Sequence, residues 1–547
     1  VIRIGWRSIR RVGIAVERAG AFLRDRYLVA DPRTLGLFRI VLGSLLCADC
    51  IRHWIEARTY YSNEGLLSNH YYLFRPASSH HFSLFLAFSS AEEVHVAFAL
   101  SFICYFLFTI GYRTRLFNVL SFLWVTSMDS RLVLVENGGY IVVNLTTFWA
   151  MFLPTGERFS VDAARRALRS DSAPPAPCVS LAVFFATLNF AFVYVFNVVN
   201  KYGDLWRRGD TIHYVLHIDR MVTGIAVFLR EWLPVWALRV TTWTVLLVEA
   251  LIVVLVLWPR NRLVARAVAI GLCLGLHVTL GVTMRLGPFS WFMIAWSLLL
   301  LGREHWDWLE GRGARIRTLG QSAGAALDRL FAQFPAPRRR AASSPSPLAR
   351  ALGRGRAALR ETAVVLFAIC GLTQMLAENK SVPQLLKPKQ PAWVRAVIQY
   401  PRLFQGWGMF APNPISEDGT VSVEAVTVDG RRIDPFTGLA PDLDLSDARG
   451  LGLNQIHQDY FNRIRLDRNR TYREPLRRWL VRWHEETGRP EDELVAFDVW
   501  WLTDRCPPPG ALTPSHHKKV CLLGWRKPGH RAEPPLSPAC RVESAGD

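Results

Sequence analysis

Lysine is almost missing from the first 379 residues of this 547-residue chain. Every other fixed cation there is arginine, and the one exception is Lys201, in the stretch NVVNKYGDLWRRG. A guanidinium stays charged in a protein, whereas an ammonium loses its proton when desolvated. The choice of lysine at this one place therefore points to a group that must become neutral. A lysine that snorkels to lipid headgroups is the competing reading, but arginine fills that role equally well.

Other absences narrow the field. Nine cysteines fall in no metal-binding spacing, which leaves no framework for a zinc site. Cys47 and Cys50 lie inside an apolar run and read as small buried side chains. Cys506, Cys521 and Cys540 lie in the polar tail, where one disulfide is possible and a thiol is left over. No internal repeat is visible, which argues against a transporter built from duplicated halves. No separate cleavable leader is expected, because the Arg-rich start leads into the first apolar run without a small-residue cleavage site.

What is abundant is apolar sequence: 50% of residues are hydrophobic, and they come in blocks. Runs cover 35–55, 94–111, 116–128, 139–153, 178–200, 236–258, 263–282 and 288–301, with a weaker ninth at 363–377. The run at 178–200 holds no charge and is long enough to cross ~30 Å of hydrocarbon as a helix. The pattern predicts a mainly α polytopic membrane protein with eight to nine transmembrane helices. A smaller exported C-terminal α+β domain follows.

The formal charge of +20 is distributed as a membrane protein distributes it, not as a nucleic-acid binder does. Arginines crowd residues 3–33, the Arg165, Arg166 and Arg169 cluster, the Arg260 and Arg262 turn, and residues 303–360. Nine alternating crossings from a cytoplasmic N-terminus place all these clusters inside. Trp124, Trp149, Trp232, Trp258 and Trp291 suit interfacial belts. The expected organisation is a basic lead-in at 1–34 and a helical domain at 35–302. A basic linker at 303–360, a last helix at 361–378 and an exported domain at 379–547 complete it, in a bacterial inner membrane. In that domain TVSVEAVTVDGRRI alternates up to an Asp429-Gly430 turn, a hairpin signal. ELVAFDVWWLT alternates again, with Val495, Phe497, Val499 and Trp501 on one face. The intervening RTYREPLRRWLVRWHEETGRP has helical spacing and a basic face.

Polar residues inside apolar surroundings are site candidates by default. They include His277 in the seventh run, Glu249 in the sixth (read as a protonated, hydrogen-bonded carboxyl), and more weakly Asp49 and Asn137. Asp204, Arg207 and Arg208 follow Lys201 and are placed either to orient it or to form a solvated face.

The segments DPRTLGLFRIVLGSLLCADCIRHW, YYSNEGLL, FLPTGERFSVD and YVFNVVNKYGDLWRRG resemble the HTTM family, which is built on the membrane domain of vitamin K-dependent γ-glutamyl carboxylase. Lys201, Trp206 and Gly209 carry the most telling match, and GLHVTLGVTMRLGPFSWFM is similar to the family's later His-containing helix, at His277. GWGMFAPNP and FDVWWLTDR are similar to carboxylase segments in the tail. The resemblance implies Lys201 as a base toward reduced vitamin K or another quinol. O2 and CO2 would be consumed, and an exported peptide or small acid modified at the lipid bilayer. His277 would join Lys201 in catalysis, with Asp204, Trp206, Glu157 and Asn137 near substrate or cofactor. Two departures stand out: Glu157 replaces a functional histidine, and FAPNPISEDG after Met409 lacks the cations that would hold a glutamate carboxylate. The alternatives are a non-carboxylating quinone- or lipid-binding protein and a transporter or assembly factor.

The topology is tested by labelling from outside the cell. A single cysteine introduced at position 440 should react with an impermeant reagent and one at position 345 should not; the reverse pattern overturns the orientation.

Overall fold

The structure is a computed structural model. It describes residues 17–18, 20–74, 80–132, 134–169, 176–312, 346–444, 454–511, 517–530 and 536. Helix α1 (Pro32–Ile55) starts where Asp31 accepts from the Arg33 amide ahead of Pro32. Helix α2 (Ala91–Ile110) opens with a capping box of Ser90 and Glu93 and closes on Gly111, whose φ of 73° a side chain would disfavour. Helices α3 (Thr114–Arg131), α4 (Gly138–Ala150), α5 (Leu181–Asn200), α6 (Val235–Leu257), α7 (Arg262–Thr283) and α8 (Phe289–Ser297) follow. Helix α9 runs over Pro347–Glu378.

Among the described residues six helices are long and apolar enough to cross a membrane: α1, α2, α5, α6, α7 and residues 350–378 of α9. The expected eight to nine spans are not confirmed, because three of the runs make helices that fall short in length or in apolar content. The run at 139–153 makes a helix of 13 residues, about 20 Å at the α-helical rise and short of the hydrocarbon thickness. The run at 288–301 yields nine α-helical residues and a short 3₁₀ turn. Helix α3 ends on the polar sequence TSMDSR. Each of these helices contributes to the buried core of the bundle, through Trp124, Val142, Phe148, Phe292 and Trp296, while α3 also keeps Leu116, Val119 and Leu123 exposed. The last helix also begins earlier than residue 361, because the basic segment from Pro347 continues straight into the apolar one. Residues 313–345 of the expected linker lie outside the described residues.

The bundle has two distinct ends. Helices α5 and α9 run side by side in the same direction. Ser180 donates to Glu361 (2.8 Å) at one end, and Asn200 donates to Asn379 (2.9 Å) at the other. In α1, Gly36 abuts the Arg158 carbonyl near the helix start, while Arg52 donates to Gln455 of the tail (2.6 Å) near its end. The tail therefore sits on the Asn200 and Arg52 end. The other end is closed by the two-residue pairing of β1 (Val29–Ala30) with β2 (Cys178–Val179).

The tail carries a four-stranded antiparallel sheet of β3 (Glu417–Thr427), β4 (Arg432–Ile433), β5 (Leu494–Arg505) and β6 (His517–Arg526), in the order β4-β3-β5-β6. The β3–β4 hairpin turns at Asp429-Gly430, where glycine takes a φ of 82°. Phe497, Val499 and Trp501 share a buried cluster with Ile456 and Phe461 of α10 (Gln455–Ile464) and Leu476 and Trp479 of α11 (Arg473–Val481). On the opposite face Glu424 and Asp498 are paired across β3 and β5 and fully buried. Arg432 neutralises the first and Arg526 the second (2.7 Å), so neither carboxylate is left alone. Cys506 is a buried free thiol, Cys521 is disulfide-bonded, and Cys540 lies outside the described residues.

Helices α1 and α2 touch at Gly43, where an added Cβ would lie 2.3 Å from Thr109 Oγ1. Small residues at such crossings let the backbones meet. Gly43→Val should therefore destabilise the purified protein by about 1–3 kcal/mol, the usual cost of overpacking, read as a lowered thermal midpoint in detergent.

Candidate active site

Helix α5 ends because Lys201 leaves the helical conformation, its amide donating back to the Val198 carbonyl (3.1 Å). Two residues later Gly203 passes so close to the tail that a Cβ would lie 2.3 Å from the Pro412 carbonyl, and its amide donates to that same oxygen (3.1 Å). The chain is thus pinned just beyond Lys201, and the lysine side chain turns back into the bundle. The residue is 8% exposed. Its Nζ donates to both carboxylate oxygens of Glu249 on α6, at 2.7 Å each, and lies 4.6 Å from the Trp206 ring centroid. Trp206 is fixed in turn by its Nε1, which donates to the Phe410 carbonyl (2.9 Å). Two hydrogen bonds and one cation–π contact use all three ammonium hydrogens.

The stripe continues down α5. Asn197 donates to Glu249 (3.4 Å), and the Tyr194 hydroxyl lies 2.8 Å from His277 Nε2 and 3.4 Å from Cys273 Sγ on α7. Positions 194, 197 and 201 share one face at helical spacing. His277 is 2% exposed and meets the seam at Tyr194, seven residues or about 10 Å of helical rise before Lys201. Asn197 Oδ1 and His277 Nδ1 are buried without a hydrogen-bond partner among the described residues.

The other candidates named from the sequence separate once the chain is folded, each for a visible reason. Trp206 joins Lys201. Asp204 does not: it faces solvent, with 72% of its side chain exposed, and sits 3.8 Å from an equally exposed Arg207. The carboxyl group that orients the lysine is Glu249, 48 residues along the chain; it is hydrogen-bonded, as expected of an intramembrane acid, by Lys201 and Asn197. Asn137 caps α4 through the Gly139 amide (2.7 Å) and donates to Asp459 of the tail (2.7 Å). Burial pushes the Asp459 carboxyl up to about 6. Glu157 lies at the opposite end of the bundle, paired with Arg166 at 3.0 Å. Asp49 pairs with Arg52 on its own helix (2.7 Å).

Asn137 borders a cavity of about 580 Å³ between bundle and tail, which also touches Asn200 and Tyr202 on either side of Lys201. Its apolar wall is Ile141, Phe404, Trp407 and Met409, Glu136 and Glu378 line it as well, and its cations are Lys380 and Arg463. Reading the strand after Met409 missed these two, because they arrive from other segments. The visible signal was Lys380, the first lysine after Lys201, immediately following the last apolar run. Among the described residues no three His, Cys, Asp or Glu side chains gather in a way that could hold a metal ion.

A family model described as HTTM domain matches residues 27–308, the segment that contains Lys201, Trp206, Glu249 and His277. No curated protein and no solved structure matches the chain.

Removing one partner of a buried ion pair strands the other charge, whereas removing both does not. Lys201→Met alone or Glu249→Leu alone should therefore cost about 3–5 kcal/mol, and the double variant Lys201→Met, Glu249→Leu should recover most of that loss. Denaturation midpoints of wild type, the two single variants and the double variant in one detergent close the cycle; additive losses would show that the two side chains are not coupled.

Proposed function

The chain belongs to the HTTM domain family, and we propose that it is an integral membrane enzyme of carboxylase-like type. In this reading Lys201 serves as a base toward a quinol-type cofactor, reduced vitamin K or another quinol, to modify an exported peptide or small acid. The N-terminus is cytoplasmic and the sheet domain extracytoplasmic in this reading. The observation that carries it is the buried, bidentate Lys201–Glu249 pair.

That pair has the properties a proton-handling unit needs. In an apolar bundle the charged and neutral forms of an amine–carboxyl pair lie closer in energy than in water, because burial penalises both charges. Transfer of a proton from Lys201 Nζ to Glu249 replaces the ion pair by a neutral amine and a carboxylic acid, and the amine lone pair becomes available when Nζ turns away from the Glu249 O–H. Trp206 loses its cation–π attraction as the amine becomes neutral and remains beside it as a packing wall that supplies no competing acceptor. Glu249 acts as the proton's store, and Tyr194 with His277 extends the polar seam deeper into the bundle.

The cavity beside Asn200 and Tyr202 fits a quinol in chemical character. Phe404, Trp407 and Met409 offer faces for an aromatic ring, and the Tyr202 hydroxyl offers a hydrogen-bond partner. Such a quinol, when bound, supplies an ionisable hydroxyl and the reducing equivalents for O2. Lys380 and Arg463 are the residues suited to an acidic substrate, and they stand in for the cations lacking after Met409. CO2 enters only if the product is a carboxylate. A second reading, a quinone- or lipid-binding protein without carboxylation, is favoured by a separate apolar cavity of about 140 Å³. It is walled by Phe148, Trp149, Phe185, Phe367 and Met375 and has no charged lining residue among the described residues.

Lysine against arginine separates a base from a structural cation. Lys201→Arg keeps the charge but removes the neutral form, so quinol oxidation by the purified protein should fall by about 10²-fold or more, at unchanged expression and thermal midpoint. Equal activity of wild type and Lys201→Arg would refute the base. Lys201→Ala is uninformative alone, because it also strands Glu249.

A further inference from the structure

A second cavity, of about 510 Å³, opens at the bundle end away from the tail. It lies between the α2–α3 turn, the segment after α4, and the short helix Val161–Arg169. Four arginines line it: Arg113, Arg115, Arg165 and Arg166. Its two carboxylates are already engaged. Glu157 is held by Arg166 (3.0 Å), and Asp162 accepts from the Arg113 amide, the Thr114 amide and the Thr114 hydroxyl at 2.9, 2.7 and 2.7 Å. Arg113, Arg115 and Arg165 have no carboxylate partner among the described residues. Arg113 and Arg165 rest on the Tyr112 ring, 5.8 and 5.3 Å from its centroid.

An independent observation lies at the cavity's inner wall. Asn118 is 2% exposed and lines the cavity, and its Oδ1 is buried without a partner among the described residues. A buried amide left unsatisfied is costly. An asparagine amide carries two donors beside its oxygen, and Asn118 lines the cavity in which an acceptor would meet them. Directly below, Leu116, Val119 and Leu123 form one exposed apolar stripe along α3 at helical spacing, and Leu116 is itself part of the cavity rim.

A fork of guanidinium groups, an unsatisfied amide and an adjoining apolar stripe match one kind of molecule. We propose that this cavity binds the headgroup of an anionic phospholipid, with its phosphate against Arg113, Arg115 and Arg165, its polar headgroup atoms against Asn118, and an acyl chain along Leu116, Val119 and Leu123. Guanidinium pairs with phosphate through two parallel hydrogen bonds, and basic pockets at helix ends are where such headgroups bind. The site is distinct from the Lys201 seam and stands whether or not the chain is a quinol enzyme.

Native mass spectrometry of the delipidated full-length protein tests it. Phosphatidylglycerol, phosphatidylcholine of the same chains, glycerol 3-phosphate and inorganic phosphate are titrated separately. Phosphatidylglycerol should bind at least ~10-fold more tightly than phosphatidylcholine, since basic residues near a membrane surface each favour an anionic lipid. Arg115→Gln and Asn118→Leu should each weaken it several-fold, and Val119→Ser should weaken the lipid but not glycerol 3-phosphate. Arg478→Gln, an exposed arginine of the tail, should leave it unchanged. Equal binding of the two lipids overturns the proposal. So does unchanged affinity in the Arg115 and Asn118 variants when their thermal midpoints match wild type. Inorganic phosphate binding as tightly as phosphatidylglycerol would overturn the lipid as the source of the anion.

Discussion

Inside hydrocarbon a polar group has no water to turn to, and that single constraint organises the helical part of this protein. The cations set deep in the bundle have found protein partners. Lys201 has the Glu249 carboxylate, and Arg39 donates to the carbonyls of Thr109, Thr155, Arg158 and Phe159. Arg131 donates to those of Tyr61 and Leu67. Backbone carbonyls of this kind do not take a proton from a guanidinium, whereas the Glu249 carboxylate can take one from an ammonium. Lys201 thus differs from Arg39 and Arg131 in its partner as much as in the cation itself.

The two ends of the bundle are specialised accordingly. At the tail end, α5 and α9 are tied through Asn200 and Asn379, and the Asn200 amide also reaches the Trp407 carbonyl (2.5 Å). This knits the last helix, the strap at 404–413 and the lysine-bearing helix into one wall beside the larger cavity. At the far end, arginines collect in excess of the acids beside them. The same amino acid therefore sits in opposite settings within one chain, buried against carbonyls in one place and lining an open cavity in another.

Much of this was legible in the residues alone. The apolar blocks announced helices, the lone lysine announced a special position, and the alternating segments after residue 417 announced strands. The number of long helices was not legible. An apolar run of about 15 residues reads the same whether its helix crosses a membrane or stops after 13 residues to pack against its neighbours, as α4 does. Nearness in sequence left open whether Asp204 orients the lysine or belongs to a solvated face. Asp204 points to solvent because α5 ends at Lys201 and the short helix beyond begins a new direction.

What the sequence by itself determined is what residue type and periodicity encode: membrane helices, a tail built on strands, and a neutralisable cation where arginine is otherwise the rule. Tertiary structure alone decided the partners. Glu249 reaches Lys201 across 48 residues, and Lys380 and Arg463 meet at one cavity across 83, because helix packing sets proximity without regard to separation along the chain. Which charges are compensated, and therefore which remain free for chemistry or for a ligand, is a property of that packing.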